Sequence, residues 1–252
     1  MANERFINNL NAINVKLDDK QLEQFDEYYK ILVEWNSFMN LTGITDYDEV
    51  LLKHYIDSLV LKTAFDVDKN DKFDKISEYL SKDNLTLIDV GTGAGFPGLP
   101  IKIAFPDMKV TLLDSLNKRV KFLNEVIEKL GLKEIEAVHS RAEEGARNKL
   151  YRESFDISVS RAVANLSTLA EYNLPFVKQG GYFIAYKSGN INEELENAKK
   201  AVKILGGEIA YVKEFTLPDS DIERSLVYIK KVKATPGKYP RKAGLPAKEP
   251  LA

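Results

Sequence analysis

Cysteine is absent from this sequence of 252 residues. Its absence excludes disulfide bonds, iron–sulfur clusters, thiolate zinc sites and enzymes that use a cysteine nucleophile. Histidine is scarce as well, because the chain contains only His54 and His139. We therefore expect a protein without a metal site, whose chemistry depends on other side chains.

A long hydrophobic run is also lacking. No segment approaches the roughly 18–20 apolar residues that a membrane-spanning helix needs. The first ten residues, MANERFINNL, have neither the basic start nor the apolar core of a secretory signal. We expect a cytoplasmic protein that does not enter a membrane.

Acidic residues are missing from the segment 230–248, although this segment contains seven lysines and arginines. The chain as a whole has more acidic than basic residues, 38 against 36. A basic end on an acidic body predicts an anionic partner. The proline-containing tail, residues 233–252, is predicted to be extended or mobile.

The first 80 residues are predicted to form a helical extension. Asp18 and Gln21 have the spacing of a capping box, which would start a helix that reaches about Phe38. A second helix is predicted over 48–65. The charged segment 66–75 has few apolar residues and is predicted to be a loop or linker.

Residues 81–232 alternate between strand and helix patterns. Helical segments separate the first six strands, which favours βαβ units and a mostly parallel α/β sheet. The last two strands are joined by PDSDIE, which is too short for a helix, so this pair is predicted to be antiparallel. The seven predicted strands are 85–90, 109–114, 134–139, 155–160, 180–187, 208–215 and 225–232.

Glycines at alternate positions follow the first strand in LIDVGTGAGFPGLP. Gly91, Gly93 and Gly95 permit a positive φ and let a ligand approach the backbone. Asp114 ends the second strand, where an acidic side chain accepts hydrogen bonds from a ribose diol. The strand, turn and acidic residue together predict a site for an adenosine-containing cofactor.

Two registers of this turn compete. The spacing Gly93-x-Gly95-x-x-Gly98 is typical of a dinucleotide site and leaves an NAD(P)-dependent oxidoreductase as an alternative. The register that starts at Gly91 is typical of S-adenosylmethionine (SAM) methyltransferases. Asp89 precedes it, and a carboxylate there suits an ammonium group and repels a pyrophosphate. We therefore favour SAM and a Rossmann-like class I methyltransferase fold.

The possible acceptors of the methyl group can be reduced by elimination. Methylation of C5 in a pyrimidine uses a cysteine thiolate, which this chain lacks. The segment after the fourth strand, SRAVA, has no proline and does not match the motif typical of exocyclic-amine methylation. Guanine N7 has a free lone pair and loses no proton, so alignment alone suffices there.

Seven segments carry a resemblance that spans nearly the whole chain, namely WNSFMNLTGIT, HYIDSL, DVGTGAGFPGLPIKI, LLDSLNKRVKFL, SRAEE, SRAVA and TPGKYPRKAGLPAKEPL. They resemble the bacterial ribosomal RNA small-subunit methyltransferase G family, also called glucose-inhibited division protein B. The resemblance implies SAM-dependent methylation of a guanine N7 in 16S rRNA, near the decoding region. It implies as partner 16S rRNA or a small ribosomal subunit particle.

The resemblance also indicates cofactor-binding residues, which are Gly91, Phe96, Ala142, Glu143 and Arg161. Phe96 is placed to pack on the ligand where the turn becomes a helix. Ala142 and Glu143 follow the third strand, where a backbone amide and a carboxylate can contact the adenine edge. The opposite interpretation of Glu143 is an exposed residue in a first helical turn.

Arg161 and Ser160 end the fourth strand and are predicted to shape the guanine pocket as catalytic residues. Arginine stays protonated, so Arg161 is not a general base. Lys187 matches a family lysine after the fifth strand, although here the following glycine comes one residue later. His54 and Asp57 are spaced to touch on one helix, in a hydrogen bond or a substrate contact.

Lys187 and two further groups of cations are predicted to contact RNA. Lys118 and Arg119 lie in the first turn of a helix, where positive charge opposes the helix dipole, and this unfavourable placement suggests a contact with RNA phosphate or with the cofactor carboxylate. Arg241 and Lys242 lie in the basic tail. We expect a monomer, and a non-catalytic RNA-binding assembly factor remains the second alternative.

Overall fold

The computed structural model describes residues 4–61, 71–161 and 164–251, with the side chains of 71–74 left aside. The N-terminal part is helical, as α1 (Glu4–Ala12), α2 (Asp19–Met39) and α3 (Tyr47–Val50). A π-helical stretch, Leu51–Ile56, connects α3 to α4 (Asp57–Leu59) without a break. The predicted capping box of α2 is present, because Asp18 and Gln21 exchange side-chain and backbone hydrogen bonds.

The predicted linker 66–75 lies partly outside the described residues. Its last five residues belong to α5 (Asp71–Leu80), which differs from the prediction. Apolar positions in this helix include Ile76 and Leu80, and both are buried in the core. The charged residues that precede Ile76 mask a helical period, so the linker assignment was wrong at this end.

The remaining chain forms a seven-stranded sheet with helices between the strands, and the predicted strands are all confirmed within a few residues. The connecting helices are α6 (Gly98–Ala104), α7 (Asn117–Lys129), α8 (Ala142–Gly145), α9 (Leu166–Asn173) and α10 (Asn192–Ile204). A final short helix, α11, spans Leu245–Lys248. The strands are β1 (Thr86–Val90), β2 (Lys109–Asp114), β3 (Ile135–His139), β4 (Phe155–Ser160), β5 (Val177–Ser188), β6 (Gly207–Thr216) and β7 (Glu223–Lys231).

The strand order is β3-β2-β1-β4-β5-β7-β6. Strands β1 to β5 are parallel, while β7 lies antiparallel between β5 and β6. The direction of strand order reverses between β1 and β4, so the loops that follow these two strands diverge and leave a crevice. The fold is that of a class I methyltransferase, as predicted, and the crevice is where its ligands are expected.

The N-terminal helices pack against this crevice. Phe25, Tyr28 and Tyr55 form one aromatic cluster with Phe96 of the glycine turn. The hydroxyl of Tyr28 donates a hydrogen bond to the carbonyl of Ala94 in the same turn. These contacts fix residues 4–61 to one side of the cofactor turn, within one hydrophobic core.

Candidate active site

The glycine turn leaves an open space at the end of β1. Gly91 and Gly93 have φ of 75° and 63°, which disfavour any other residue. A Cβ built on either glycine would meet no atom within 4 Å. The backbone is therefore accessible at these two positions, as a ligand cradle requires.

Gly95 and Gly98 serve packing. A Cβ on Gly95 would lie 2.3 Å from a methyl group of Leu99, and one on Gly98 would lie 2.3 Å from a methyl group of Leu112. Neither position opens to a ligand. The glycines that do so are Gly91 and Gly93, which belong to the register starting at Gly91, whereas Gly98 is a packing residue at the start of α6.

Asp89 is fully buried beneath the turn. Its Oδ2 accepts hydrogen bonds from the Thr92 hydroxyl at 2.7 Å and from the Gly98 amide at 2.8 Å. Its Oδ1 is buried and has no hydrogen-bond donor among the described residues. Burial raises the pKa of this carboxyl to about 6, against the opposing influence of the two hydrogen bonds.

Asp114 is also buried and closes the turn from the β2 side. Its Oδ2 accepts the amide of Gly93 at 2.9 Å, and its Oδ1 accepts the amide of Leu116 at 2.9 Å. The guanidinium of Arg119 lies 3.5 Å from Oδ2. The predicted ribose-binding carboxylate is therefore at the expected place, and Arg119 faces it instead of standing free for RNA.

These features fit SAM. An orphaned carboxylate oxygen beneath the turn suits the positive charge of the cofactor, and the open backbone at Gly91 and Gly93 admits it. The turn does not suit a pyrophosphate, because the buried carboxylates of Asp89 and Asp114 lie directly against its backbone and would repel an anion.

Phe96 lies next to this cradle, but its ring is buried among protein side chains. The imidazole of His54 stacks on it with centroids 4.4 Å apart, and the guanidinium of Arg161 lies 5.0 Å from its centroid. The sequence predicted contact with the cofactor. The structure places Phe96 between the cofactor turn and the cluster of polar residues that follows.

Arg161 is the centre of that polar cluster. It donates to Asp57 and to the carbonyl of Lys53, both at 3.0 Å, and to Nδ1 of His54 at 3.2 Å. Asp57 accepts a second arginine, Arg224, at 2.8 Å. A carboxylate that is 4% exposed is thus paired with two guanidinium groups.

The predicted hydrogen bond between His54 and Asp57 is not formed. Arg161 lies between them and bonds both. The Nε2 of His54 lies 2.8 Å from the Thr42 hydroxyl. Burial, together with the nearby charge of Arg161, lowers the pKa of His54 to about 3, so the imidazole is neutral at physiological pH.

Sequence reasoning missed Arg224. No spacing signal connects it to Arg161, because the two residues belong to different strands and the pairing depends on the position of β7. Antiparallel pairing sets Arg224 opposite Ser188, at the carboxyl end of β5. A motif search in the sequence had no means of finding this contact.

A cavity of about 600 Å³ opens beside this cluster. Its size is ordinary for a ligand site. Arg161 and Arg224 form part of its lining, together with Asn165, Lys187 and Glu194. The cavity and the cofactor turn therefore adjoin through Arg161 and Phe96.

Ser160 does not share this position. Its hydroxyl donates to the carbonyl of Val90 at 3.0 Å, and the side chain is buried within the sheet. It is not among the described residues that line the cavity. The prediction that Ser160 shapes the guanine pocket differs from the structure, because the side chain alternation of β4 turns it toward β1.

Ala142 and Glu143 begin α8, as predicted, but the Glu143 carboxylate is buried and engaged. Its Oε1 accepts the amide of Gly244 at 2.7 Å. The opposite interpretation, an exposed helix residue, is wrong because Glu143 is buried, while its contact with the adenine edge stays a prediction. Ala142 packs against the hydrophobic cluster under β1 and β4.

The C-terminal tail is folded against the domain, which differs from the extended or mobile tail that was predicted. Arg241 forms a paired contact with Glu171, whose side chain is 0% exposed, at 2.7 Å and 3.0 Å. Arg152 donates to the carbonyls of Thr235 and Tyr239. Ion pairs and hydrogen bonds to its backbone thus hold this segment against the domain.

The predicted RNA-binding cations differ in availability. Lys118 and Lys242 are exposed. Lys187 donates to the carbonyl of Ala164 at 2.8 Å and lies 2.7 Å from Glu194. Arg241 is bound to Glu171, because a buried carboxylate needs a partner, and its contact with RNA stays a prediction.

Comparison with known proteins gives the family. The sequence model described as rRNA small subunit methyltransferase G matches residues 21–227. The chain belongs to this family. It is a family of methyltransferases, which confirms SAM as the predicted cofactor and rules out the NAD(P)-dependent oxidoreductase.

Curated relatives agree along the whole chain. The ribosomal RNA small subunit methyltransferase G of Lachnoclostridium phytofermentans is 55% identical over 99% of this chain and 97% of its own length. The protein of the same name from Acetivibrio thermocellus is 55% identical over 97% of this chain and 95% of its own length. That of Lactobacillus acidophilus is 49% identical over the full length of both.

No helix in the described ranges is long and apolar enough to cross a membrane. Within the same ranges, the acidic and histidine side chains do not gather in groups of three that could hold a metal ion.

Proposed function

We propose that this protein transfers the methyl group of SAM to N7 of a guanine in 16S ribosomal RNA. The observation that carries the proposal is the adjacency of two spaces. Arg161 lines the cavity and lies 5.0 Å from the ring of Phe96, which belongs to the same turn as Gly91 and Gly93 of the cofactor cradle. A base in the cavity would then lie next to a cofactor in the cradle.

SAM supplies an electrophilic methyl group when it is bound. In the cradle, Asp114 would accept hydrogen bonds from its hydroxyl groups, the buried charge of Asp89 would favour its cationic group, and the open backbone at Gly91 and Gly93 would lie against it. The buried contacts of Asp89 with Thr92 and Gly98 hold this arrangement rigid before the cofactor arrives.

The residues around the cavity suit a reaction without proton transfer. N7 of guanine attacks through a lone pair, so the chain needs no general base. His54 is the only histidine in the cluster, and its pKa of about 3 makes it a very weak base. Arg161 is held in place by Asp57 and a backbone carbonyl, so it can orient the base.

RNA would approach over the exposed cations on the carboxyl side of the sheet. Lys118 and Lys242 are available for phosphates, whereas Arg119 and Arg241 act within the fold. We propose that the protein acts as a monomer in the cytoplasm, on 16S rRNA or on a small subunit particle.

Mapping of the modified base tests this function. Ribosomal RNA from a strain that lacks the gene is treated with borohydride and aniline, which cleave at N7-methylguanosine, and the cut is read by primer extension. We expect one cleavage signal in the 16S rRNA of the parent, its loss in the deletion strain and its return on complementation. A signal that persists after deletion rules out the proposal.

A reconstituted assay separates this enzyme from a non-catalytic assembly factor. Purified protein is incubated with tritiated SAM and with either free 16S rRNA or small subunits from the deletion strain. Methyl transfer to one of the two substrates is expected. RNA binding that is unaffected by SAM, with no transfer to either substrate, would support the assembly factor instead.

A further inference from the structure

The cavity beside Arg161 contains two carboxylates, and only one of them is fully paired. Asp57 is bonded by Arg161 and Arg224. Glu194 is 25% exposed and has Lys187 as its neighbour at 2.7 Å. The two carboxylates therefore have different capacities for a ligand.

The contact between Lys187 and Glu194 is an ion pair without the angles of a hydrogen bond. The ammonium of Lys187 donates instead to the carbonyl of Ala164 at 2.8 Å. Oε1 of Glu194 is buried against this ammonium, while the Glu194 side chain as a whole is 25% exposed, against 4% for Asp57. Glu194 is therefore the more accessible of the two cavity carboxylates and the one that can accept hydrogen bonds from a ligand.

We propose that Glu194 binds the Watson–Crick edge of the target guanine and is the residue that selects this base. The inference rests on the proposed function. Guanine carries N1–H and the N2 amino group side by side, and a carboxylate accepts both in a paired contact. Adenine presents no such pair of donors, since its N1 is an acceptor.

The geometry of the base agrees with this placement. N7 lies on the opposite side of the purine from N1 and N2. A guanine whose N7 faced Arg161 and the cofactor cradle would therefore turn its N1 and N2 toward the other residues that line the cavity. These residues include Lys187 near the end of β5 and Glu194 in the first turn of α10.

The contact also favours the reaction itself. As N7 forms its bond to the methyl group, the purine becomes positively charged and N1–H becomes a better donor. A carboxylate hydrogen-bonded to N1 and N2 is then bound more tightly in the transition state than in the ground state. Glu194 would thus contribute to rate as well as to base selection.

Glu193 provides a matched control. It precedes Glu194 in the same helical turn, is exposed and does not line this cavity. The substitutions Glu193→Gln and Glu194→Gln remove the same charge from the same helix terminus. A difference between them is therefore due to the position of the side chain.

The test combines a change in the protein with a change in the base. Small subunits are assembled from 16S rRNA that carries guanosine or inosine at the methylated position mapped above. Inosine keeps N7 and N1–H but lacks the N2 amino group. Single-turnover rates of methyl transfer are measured for the wild type, Glu193→Gln, Glu194→Gln and Glu194→Ala, and the affinity of each for SAM is measured as a folding control.

We expect the wild type and Glu193→Gln to methylate inosine roughly 5- to 150-fold more slowly than guanosine, the range of one good paired contact to a base. Glu194→Ala should be slowed on guanosine by a similar factor and show little further loss with inosine, while its affinity for SAM is unchanged. The rate of Glu194→Gln on guanosine should lie between the rates of the wild type and Glu194→Ala.

Two results overturn the inference. Equal additional losses with inosine in the wild type and in Glu194→Ala mean that Glu194 does not contact the N2 amino group. Full activity of Glu194→Ala means that the carboxylate only balances Lys187. Absence of transfer by the wild type to natural guanosine is a different outcome, because it overturns the proposed function together with the inference.

Discussion

At the scale of single residues, burial decides the charge of the two groups that flank Phe96 and the glycine turn. Asp89 has a pKa of about 6, well above the usual 3.8, and His54 has a pKa of about 3, well below the usual 6.5. In both cases desolvation disfavours the charged form. The two groups therefore titrate outside their normal ranges. Asp89 should make the affinity for SAM depend on pH, and His54 should make the stability of the fold depend on pH.

The affinity for SAM should depend on the protonation of Asp89. The ionised carboxylate attracts a cationic ligand and the protonated acid does not, so affinity is expected to fall as the pH drops below about 6, approaching tenfold per pH unit. Asp89→Asn should bind SAM weakly and with little pH dependence. Calorimetric titrations between pH 5 and 8 measure this, with Asp83→Asn in an exposed turn as the control. Equal pH dependence in Asp89→Asn would assign the effect to another group.

The stability of the fold should depend on His54 in acid. Between about pH 6.5 and pH 3 the unfolded chain binds a proton that the folded His54 does not, so the free energy of unfolding decreases as the pH falls. The contribution is about 1.4 kcal/mol per pH unit. In His54→Gln this part of the slope should disappear, while His139→Gln, which replaces an exposed residue, keeps it. Urea unfolding at pH 5, 6 and 7 provides the comparison, and identical slopes in wild type and His54→Gln would contradict it.

At the scale of elements, the C-terminal segment acts as part of the domain. It contacts α8 through Glu143 and Gly244, and it contacts α9 through the pair of Glu171 and Arg241. The hydroxyl of Thr168 in α9 adds a hydrogen bond to the carbonyl of Pro246. These contacts lie next to Glu143, where the sequence predicted that the adenine of the cofactor binds. We therefore expect the tail to stabilise that part of the site.

Removal of Arg241 should destabilise the protein. Arg241→Ala leaves the fully buried carboxylate of Glu171 without its partner, which typically costs about 3–5 kcal/mol. Lys242→Ala removes an exposed neighbour and should change stability by less than about 0.5 kcal/mol. Chemical denaturation followed by fluorescence measures both. Part of the loss should be recovered in Arg241→Ala combined with Glu171→Gln, and equal stability of the two single variants would rule out a structural role for the ion pair.

At the scale of the whole molecule, the candidate functional sites lie at one end of the sheet, the carboxyl ends of its parallel strands. Cofactor cradle, cavity and exposed Lys118 all lie where parallel strands end, as expected for open α/β sheets. Phosphate contacts are expected on this side, and cations at the opposite end, such as the exposed Lys133 before β3, are not expected to take part.

The salt dependence of RNA binding should report this division. Each phosphate contact that is lost reduces the slope of log K against log salt by about 0.7–0.9. Lys118→Ala is expected to reduce it by one such step, and Lys133→Ala to leave it unchanged. Filter binding of 16S rRNA at several salt concentrations measures both slopes, and the same reduction in the two variants would mean that RNA does not select one end of the sheet.

The sequence by itself determined the parts of the protein that depend on neighbouring residues. The capping box at Asp18, the seven strands and the glycine turn after β1 follow from local pattern, because hydrophobic period and backbone conformation are local properties. Asp89 beside the turn was also enough to favour SAM. The sequence could therefore predict the fold class and the cofactor.

Only the tertiary structure decided which charges are buried and which partners they have. Asp57 contacts Arg161 and Arg224 across 104 and 167 residues of chain, and Arg241 reaches Glu171 across 70. Ser160 points into the sheet although Arg161, its neighbour, faces the cavity. Desolvation and pairing depend on elements that are distant in sequence, so a local pattern carries no information about them.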